Sequence, residues 1–306
     1  MFTLAHLSDT HLGKLGLPRL DFLLSKRLFG FLSWHLRRKA IHEGPVLAAL
    51  VADLHHARPD HTVVTGDLVN ISLPEEFTRA AAWLEDLGPP RDVSVIPGNH
   101  DAYVPIAWNR SLALWSSYMA GEGTDGREHP AAGPGDFPFL RRRGPLAIIG
   151  VTTAAPMPPH SAAGRIGADQ MARLAALLAR TRQEGSCRVV LIHHPPLPGP
   201  AADRKQLLDS APFRAVIAAE GAELILHGHT HRSGFAQLPA PNGSVPVVGV
   251  PSASARPSHD KDHARYHLYR IARDSAGWRI GVDVRGIGAD LDRFLPESGF
   301  SLHVAR

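Results

Sequence analysis

Short apolar runs recur along this chain, and each stops abruptly at polar side chains. Leu4–Leu7, His61–Thr65, Val93–Ile96, Val189–Ile192 and Leu224–Leu226 read as short buried strands, because continuous apolar runs of this length fit a sheet covered on both faces. Between them the spacing predicts helices. One runs over 45–57, with proline in its first turn. A second spans 75–87, opened by Ser72-x-x-Glu75 as a capping box and closed by Gly88-Pro89-Pro90. A third covers 105–119. A fourth covers 167–184, with Met171, Leu174, Leu177 and Leu178 on one stripe, and a fifth 205–220. Residues 121–138 are rich in glycine and proline and read as a loop. Strand 145–153 opens a second βα pattern, and 245–250, 266–271 and 278–284 read as antiparallel strands. Nothing is predicted beyond Ala289. Two βα-rich halves imply a layered α/β sandwich of two sheets covered by helices, with 1–306 as one domain.

The polar residues at the strand ends carry the chemistry. They are Asp9-Thr10-His11, Gly66-Asp67, Gly98-Asn99-His100-Asp101, His193 in Ile192-His193-His194-Pro195, and His227-Gly228-His229. Strands that end together deliver these groups to one sheet edge. Carboxylates, an amide and imidazoles at one point suit a pair of metal ions that accept oxygen and nitrogen together, and such a pair suits phosphate-ester hydrolysis. Any one piece alone is weak, since Asp and His after a strand are commonly a turn or a helix cap. His227-x-His229 places two imidazoles on one side of an extended strand end. In a chain with 19 histidines, only the joint order of five blocks sets aside a purely structural reading.

Composition narrows the setting. At 306 residues, 44% hydrophobic and 20% charged, the chain is of ordinary globular type. Its one cysteine, Cys187, excludes an internal disulfide and points to a reducing compartment and an inert core thiol. No run approaches the ~20 apolar residues of a membrane span, and no leader is visible before Asp9, so a cytoplasmic setting is expected. A net charge of +4 favours anionic partners.

The five blocks resemble the calcineurin-like metallophosphoesterases, and the resemblance covers residues 3 to 232. It implies a four-layer sandwich, two mixed β-sheets flanked by helices. It implies that Asp9, His11 and His229 hold one divalent metal, that Asn99, His193 and His227 hold another, and that Asp67 bridges them. It also implies that His100 is the catalytic imidazole outside the ligand set. His194 is then an outer neighbour, and Asp101 either orients His100 or caps a helix. Ligands of O and N type without thiolate favour Mn²⁺ or Fe over Zn²⁺, as does the resemblance.

Residues 13–44 interrupt the first βα unit. Apolar positions at 20, 23, 24, 28, 31 and 32 keep helical spacing, with Phe22, Phe29 and Trp34 nearby and cations at Lys26, Arg27, Arg37, Arg38 and Lys39. A basic amphipathic helix is the pattern of an interfacial segment, and a helix packed on the protein's own core or on a second subunit is the alternative. Ser25-Lys26-Arg27, Gly30, Trp34 and Arg37-Arg38 resemble the bacterial metallophosphoesterase branch that contains intracellular phospholipases C. An anionic phosphodiester with acyl chains is therefore the leading substrate expectation, with peripheral contact at the inner membrane surface. A cyclic nucleotide or a UDP-diacylglucosamine-type pyrophosphate are the alternatives. A nuclease would carry a long basic groove with aromatic platforms, and here the cations concentrate in one apolar segment, so no nucleic acid is expected. A scaffold that had lost its chemistry would lack ligands, and none is missing. The oligomeric state stays open.

Overall fold

The computed structural model describes residues 1–13, 15, 25–38, 44–123, 125–197, 203–257 and 262–305, with the side chains of Arg37 and Arg38 excepted. Leu20, Phe22, Leu23, Leu24 and Lys39 of the expected amphipathic segment lie outside the described residues. Strand β1 (Phe2–Leu7) is followed by a short helix α1 (Arg27–Ser33), continued by one wide turn over Trp34–Arg38. Then come α2 (Gly44–Ala57), β2 (His61–Val64), α3 (Pro74–Leu87) and β3 (Val93–Val95). The middle of the chain holds a two-stranded ribbon, β4 (Gly121–Glu122) with β5 (Glu128–His129). It continues with β6 (Phe139–Arg143), β7 (Leu146–Gly150), α4 (Ala168–Gln183), β8 (Cys187–Leu191), α5 (Ser210–Glu220) and β9 (Leu224–His227). Five antiparallel-type strands close it: β10 (Gly234–Ala240), β11 (Gly243–Gly249), β12 (Arg265–Arg273), β13 (Gly277–Ile287) and β14 (Phe294–Ala305).

Among the described residues these strands form two six-stranded sheets, ordered β14-β13-β12-β1-β2-β3 and β10-β11-β9-β8-β7-β6. The pairs β1–β2, β2–β3, β7–β8, β8–β9 and β9–β11 are parallel, and the flanking pairs are antiparallel. Both sheets are therefore mixed. Alternation along β8 shows how the layers are glued. Val189 and Leu191 join the main core with Leu4, Val63 and Val93, while Val190 and Ile192 face Leu174, Leu178, Phe213 and Ile217 of α4 and α5. Each of these fully buried side chains contributes about 1.5–3 kcal/mol through burial. Cys187 belongs to the main core, where burial pushes its thiol well above the usual range.

Several local expectations shift. The segment 105–119 forms tight 3-10 turns, Trp108–Arg110 and Leu112–Met119, which drop Trp115 into the core beside Phe77. The cap of α3 lies one residue later than Ser72-x-x-Glu75 predicts. Glu76 accepts hydrogen bonds from the backbone N–H groups of Asn70, Ile71 and Leu73, while Glu75 does not take that place. Helix α5 begins at Ser210, not at 205. The unpredicted tail becomes β14, an edge strand paired with β13.

Candidate metal centre

The parallel strands end at one place because their order is continuous across each sheet. The loops after β1, β2, β3, β8 and β9 carry Asp9 and His11, Asp67, Asn99 and His100, His193, and His229 and His231. Backbone hydrogen bonds lock these loops together: Asp9 N–H donates to Gly66 O, His11 N–H to Asp67 O and Gly228 N–H to His193 O. Asp9, His11, Asp67, His229 and His231 all have φ between 43° and 67°, a left-handed backbone that L-residues adopt at a cost of about 1–3 kcal/mol each. Two glycines make the approach feasible. A Cβ on Gly98 would lie 2.3 Å from Asp67 Oδ1, and one on Gly228 would lie 1.9 Å from Ser8 Oγ and 2.4 Å from Asp9 Oδ2.

Two groups of ligand-type atoms result. In the first, Asp9, His11 and His231 converge, each atom within 4.8 Å of the others. His11 Nε2 and His231 Nε2 are 3.2 Å apart, and His231 Nε2 lies 3.2 Å from Asp9 Oδ1. In the second, Asp67, His193 and His229 converge. The Asn99 carbonyl oxygen joins them, 3.1 Å from His193 Nε2 and 2.8 Å from His229 Nδ1. Asp67 Oδ2 lies 3.3 Å from His193 Nε2 and 4.0 Å from His11 Nε2, so one oxygen faces both groups. Its other oxygen, Oδ1, accepts the His100 N–H at 2.7 Å.

These residues fit a pair of ions. Donor atoms bound about 2.1 Å from one ion stand about 3.0–3.4 Å from each other; His11–His231, His231–Asp9, Asn99–His193 and His193–Asp67 fall in that range, while His229–Asn99 is closer at 2.8 Å and His11–Asp9 wider at 3.9 Å. Asp9 Oδ1 is buried with the imidazole nitrogens of His231 and His11 beside it at 3.2 and 3.9 Å, so the polar atoms facing it are themselves ligand-type nitrogens that a cation would join. The charges agree. Burial alone would raise Asp9 and Asp67, yet the surrounding imidazoles hold both carboxyls below their usual range. Burial works against a charged His193, but the Asp67 and Asp9 carboxylates outweigh it and lift that imidazole to about 9. His229 goes the other way, lowered by burial and then by its histidine neighbours.

The arrangement departs from the expected histidine register. His227 is the last residue of β9 and lies outside both groups. Its Nδ1 faces Gly228 O at 3.0 Å, its ring packs where a Cβ on Gly249 would sit, and burial lowers it to about 4. His229 takes a place in the second group and His231, absent from the expected set, takes the place beside His11. The signal was present in the sequence. In Gly66-Asp67 and Gly98-Asn99 the polar residue follows the glycine, so in His227-Gly228-His229 the residues after Gly228 are the ones turned into the loop.

Around the groups sit the other predicted residues. His100 stands edge-on to His11 with centroids 4.9 Å apart, and its Nδ1 faces Asn70 O at 2.5 Å. Asp101 neither orients His100 nor caps a helix. Its carboxylate accepts the N–H groups of Asp67, Leu68, Val69 and Gly98, stapling the β2 and β3 loops. Burial and then the Asp67 charge push it up to about 7, against those donors. His194 is fully buried between Thr153 Oγ1 and Ala162 O, with its ring 4.2 Å from that of His229. A cavity of about 940 Å³ opens beside His11, walled by Leu12, Leu47, Val51 and Trp83.

Residues 2–233 match the calcineurin-like phosphoesterase family, and the chain belongs to it. A probable cyclic nucleotide phosphodiesterase of Rhodococcus erythropolis is 29% identical over 234 residues, which is 75% of this chain but 65% of that relative, just under two thirds of its length. A glycerophosphodiester phosphodiesterase of Enterobacter lignolyticus is 36% identical over 100 residues, 32% of this chain and 29% of that one. Among solved structures, a dimetal phosphatase from Danio rerio superposes with a TM-score of 0.62 at 15% identity, covering 96% of this chain and 98% of the other, a likeness of fold. Family membership and the two ligand groups make this a metal-dependent phosphoester hydrolase domain with places for two divalent ions.

Proposed function

We propose that the protein is a phosphodiesterase that cleaves a glycerophospholipid at its headgroup phosphoester, in the manner of a phospholipase C. The observation that carries the diesterase chemistry is the convergence of Asp9, His11 and His231 with Asp67, Asn99, His193 and His229 around Asp67 Oδ2. In this reading Asp9, His11 and His231 would hold one ion, His193, His229 and Asn99 the other, and Asp67 would serve both. Mn²⁺ or Fe is the proposed metal, from the oxygen and nitrogen donors. When bound, such a pair supplies positive charge to the phosphoryl oxygens and lowers the pKa of water.

The chain's own residues do the rest. Asn99 adds a neutral donor, which leaves the site net positive toward an anionic diester. With Nδ1–H donated to Asn70 O, His100 exchanges its proton through Nε2, where it protonates the leaving oxygen, a role worth about 10²–10⁴ in rate.

The lipid preference is supported by α1 and the cavity. Phe29, Leu32 and Leu36 are 48%, 47% and 77% exposed at helical spacing, an apolar strip suited to a lipid surface. The opposite side, Gly30 and Trp34, is buried against Ile71 and Leu73. The segment is thus part core and part exposed strip. Among the described residues no helix is long and apolar enough to cross a membrane, and the proposed setting is cytoplasmic with peripheral contact at the membrane surface. Cyclic nucleotides are the second reading, favoured by the names of relatives in Rhodococcus and Synechococcus.

A substrate panel decides between them. Phosphatidylcholine, phosphatidylglycerol, cyclic AMP and bis-p-nitrophenyl phosphate are offered with Mn²⁺. Release of diacylglycerol at a kcat/KM above that for cyclic AMP supports the lipid reading. Turnover of cyclic AMP with no diacylglycerol released overturns it.

A further inference from the structure

His100 does not stand alone. The ring of Tyr103 stacks on it with centroids 5.6 Å apart and planes 6° from parallel. The same tyrosine is also held by the insert. Lys26 Nζ lies 4.4 Å above the Tyr103 ring centroid and donates to the carbonyl oxygens of Met157 and Ser161, at 3.1 and 3.0 Å. Gly30 brings the α1 backbone so close that a Cβ there would lie 2.8 Å from the Tyr103 hydroxyl oxygen and 2.5 Å from Ile71 Cγ2. Arg27 fixes the helix by donating to Ile71 O at 3.2 Å and Ser72 O at 2.6 Å. Ser72 closes the circuit, since its hydroxyl donates to His100 O at 2.7 Å and accepts the Tyr103 N–H at 2.9 Å.

We infer that Tyr103 is a positioning residue for His100 and that Lys26 and α1 of the insert hold it in place. The geometry explains why the insert packs at this spot. Nδ1 of His100 is tethered to Asn70 O and the ring stands edge-on to His11, which fixes one end and one edge of the imidazole. The parallel aromatic face of Tyr103 restrains the tilt of the ring, because offset stacking favours parallel planes. The ammonium of Lys26 over the Tyr103 ring adds a cation–π contact that holds the phenol in place. None of Lys26, Gly30 or Tyr103 belongs to the five strand-end blocks, so the insert supplies a part of the site that the blocks lack. This rests on the proposed role of His100.

The test is a double-mutant cycle with glycerophosphocholine, a soluble diester whose alkoxide leaving group needs a proton and which is too small to need the exposed strip. Tyr103→Leu is expected to lower kcat about 10-fold, with KM within about twofold and the metal content unchanged. Tyr103→Phe, which keeps the ring, should recover kcat to within about threefold of the parent. Lys26→Met should cost about threefold. In a His100→Ala background each of these losses should vanish, because nothing remains to be positioned. A tenfold loss for Tyr103→Leu that persists on top of His100→Ala overturns the inference while leaving the role of His100 intact. A parental kcat in His100→Ala overturns both. Should Tyr103→Leu fail to fold, Lys26→Met in the two backgrounds decides the same question, and an additive loss there counts against it.

Discussion

His11 Nε2 and His231 Nε2 face each other at 3.2 Å across 220 residues of sequence. Two imidazole nitrogens aimed together, one buried and one half-buried, are mutually unfavourable unless a proton or a cation lies between them, and Asp9 Oδ1 at 3.2 Å from one of them makes a cation the better fit. This pair, more than any motif, fixes the register of the site. His231→Ala should lower bound metal from two ions toward one and cut turnover of a simple diester by about 10²-fold or more. His227→Ala should retain two ions. Elemental analysis of both variants checks the assignment, and the reverse pattern would restore His227 to the ligand set.

His100 makes a different prediction, because its ring nitrogen Nδ1 faces Asn70 O, its contact with Asp67 Oδ1 comes from the backbone N–H, and it belongs to neither group. His100→Ala should bind two ions and lose about 10²-fold or more in kcat. Metal loss in that variant, measured alongside the kinetics, would place His100 among the ligands.

The exposed strip on α1 separates lipid chemistry from diester chemistry. Phe29→Ser, Leu32→Ser and Leu36→Ser together should lower turnover of long-chain phosphatidylglycerol vesicles by about 10-fold or more while bis-p-nitrophenyl phosphate hydrolysis stays within about twofold, since the three side chains are exposed and their apolar surface is what an interfacial helix would bury in a bilayer. Trp34 is left in place because it is buried in the small core with Ile71 and Leu73. Equal losses on both substrates would remove the lipid role of the strip.

Acid sensitivity of the fold follows from buried neutral histidines far from the metal groups. Burial, reinforced by the Arg141 and Arg143 charges, lowers His61 to about 3, and burial with Arg265 lowers His267 to about 4. Between those values and the ordinary 6.5 the unfolded chain binds the extra protons, so stability is full above about 6.5 and falls as pH drops. From pH 7.5 to 5.5 each residue should cost about 1.4 kcal/mol. Urea unfolding of metal-free His61→Gln at the two pH values should show a decline smaller by about that amount. A decline equal to the parent's would mean that His61 is not held neutral.

Much of this was legible from the chain because buried parallel strands announce themselves as apolar runs, and the loops that follow them must share an edge. Asp9, His11, Asp67, Asn99, His100, His193 and His229 come together on that logic alone. His227 and His231 show where it runs out. His227 precedes Gly228 and His231 lies three residues beyond it; the glycine-first order of the other blocks points past Gly228, and the backbone shows that β9 ends at His227 and that a positive-φ turn carries His229 and His231. Edge strands such as β14 were silent for a related reason. Its residues are mostly exposed, so little apolar alternation remains, and pairing with β13 supplies the order. The insert was read as one amphipathic face, but α1 divides its apolar residues between a buried side at Gly30 and Trp34 and an exposed side at Phe29 and Leu32. Tyr103 carried no signal at all, since its stacking on His100 depends on where the insert folds back.

The most direct test of the central claim is a crystal of the Mn²⁺-loaded protein measured for anomalous scattering. The account predicts two peaks about 3.5–4 Å apart, one within reach of Asp9, His11 and His231, the other within reach of Asn99, His193 and His229, with Asp67 Oδ2 between them. A single peak, or a second peak coordinated by His227 in place of His229, would contradict it.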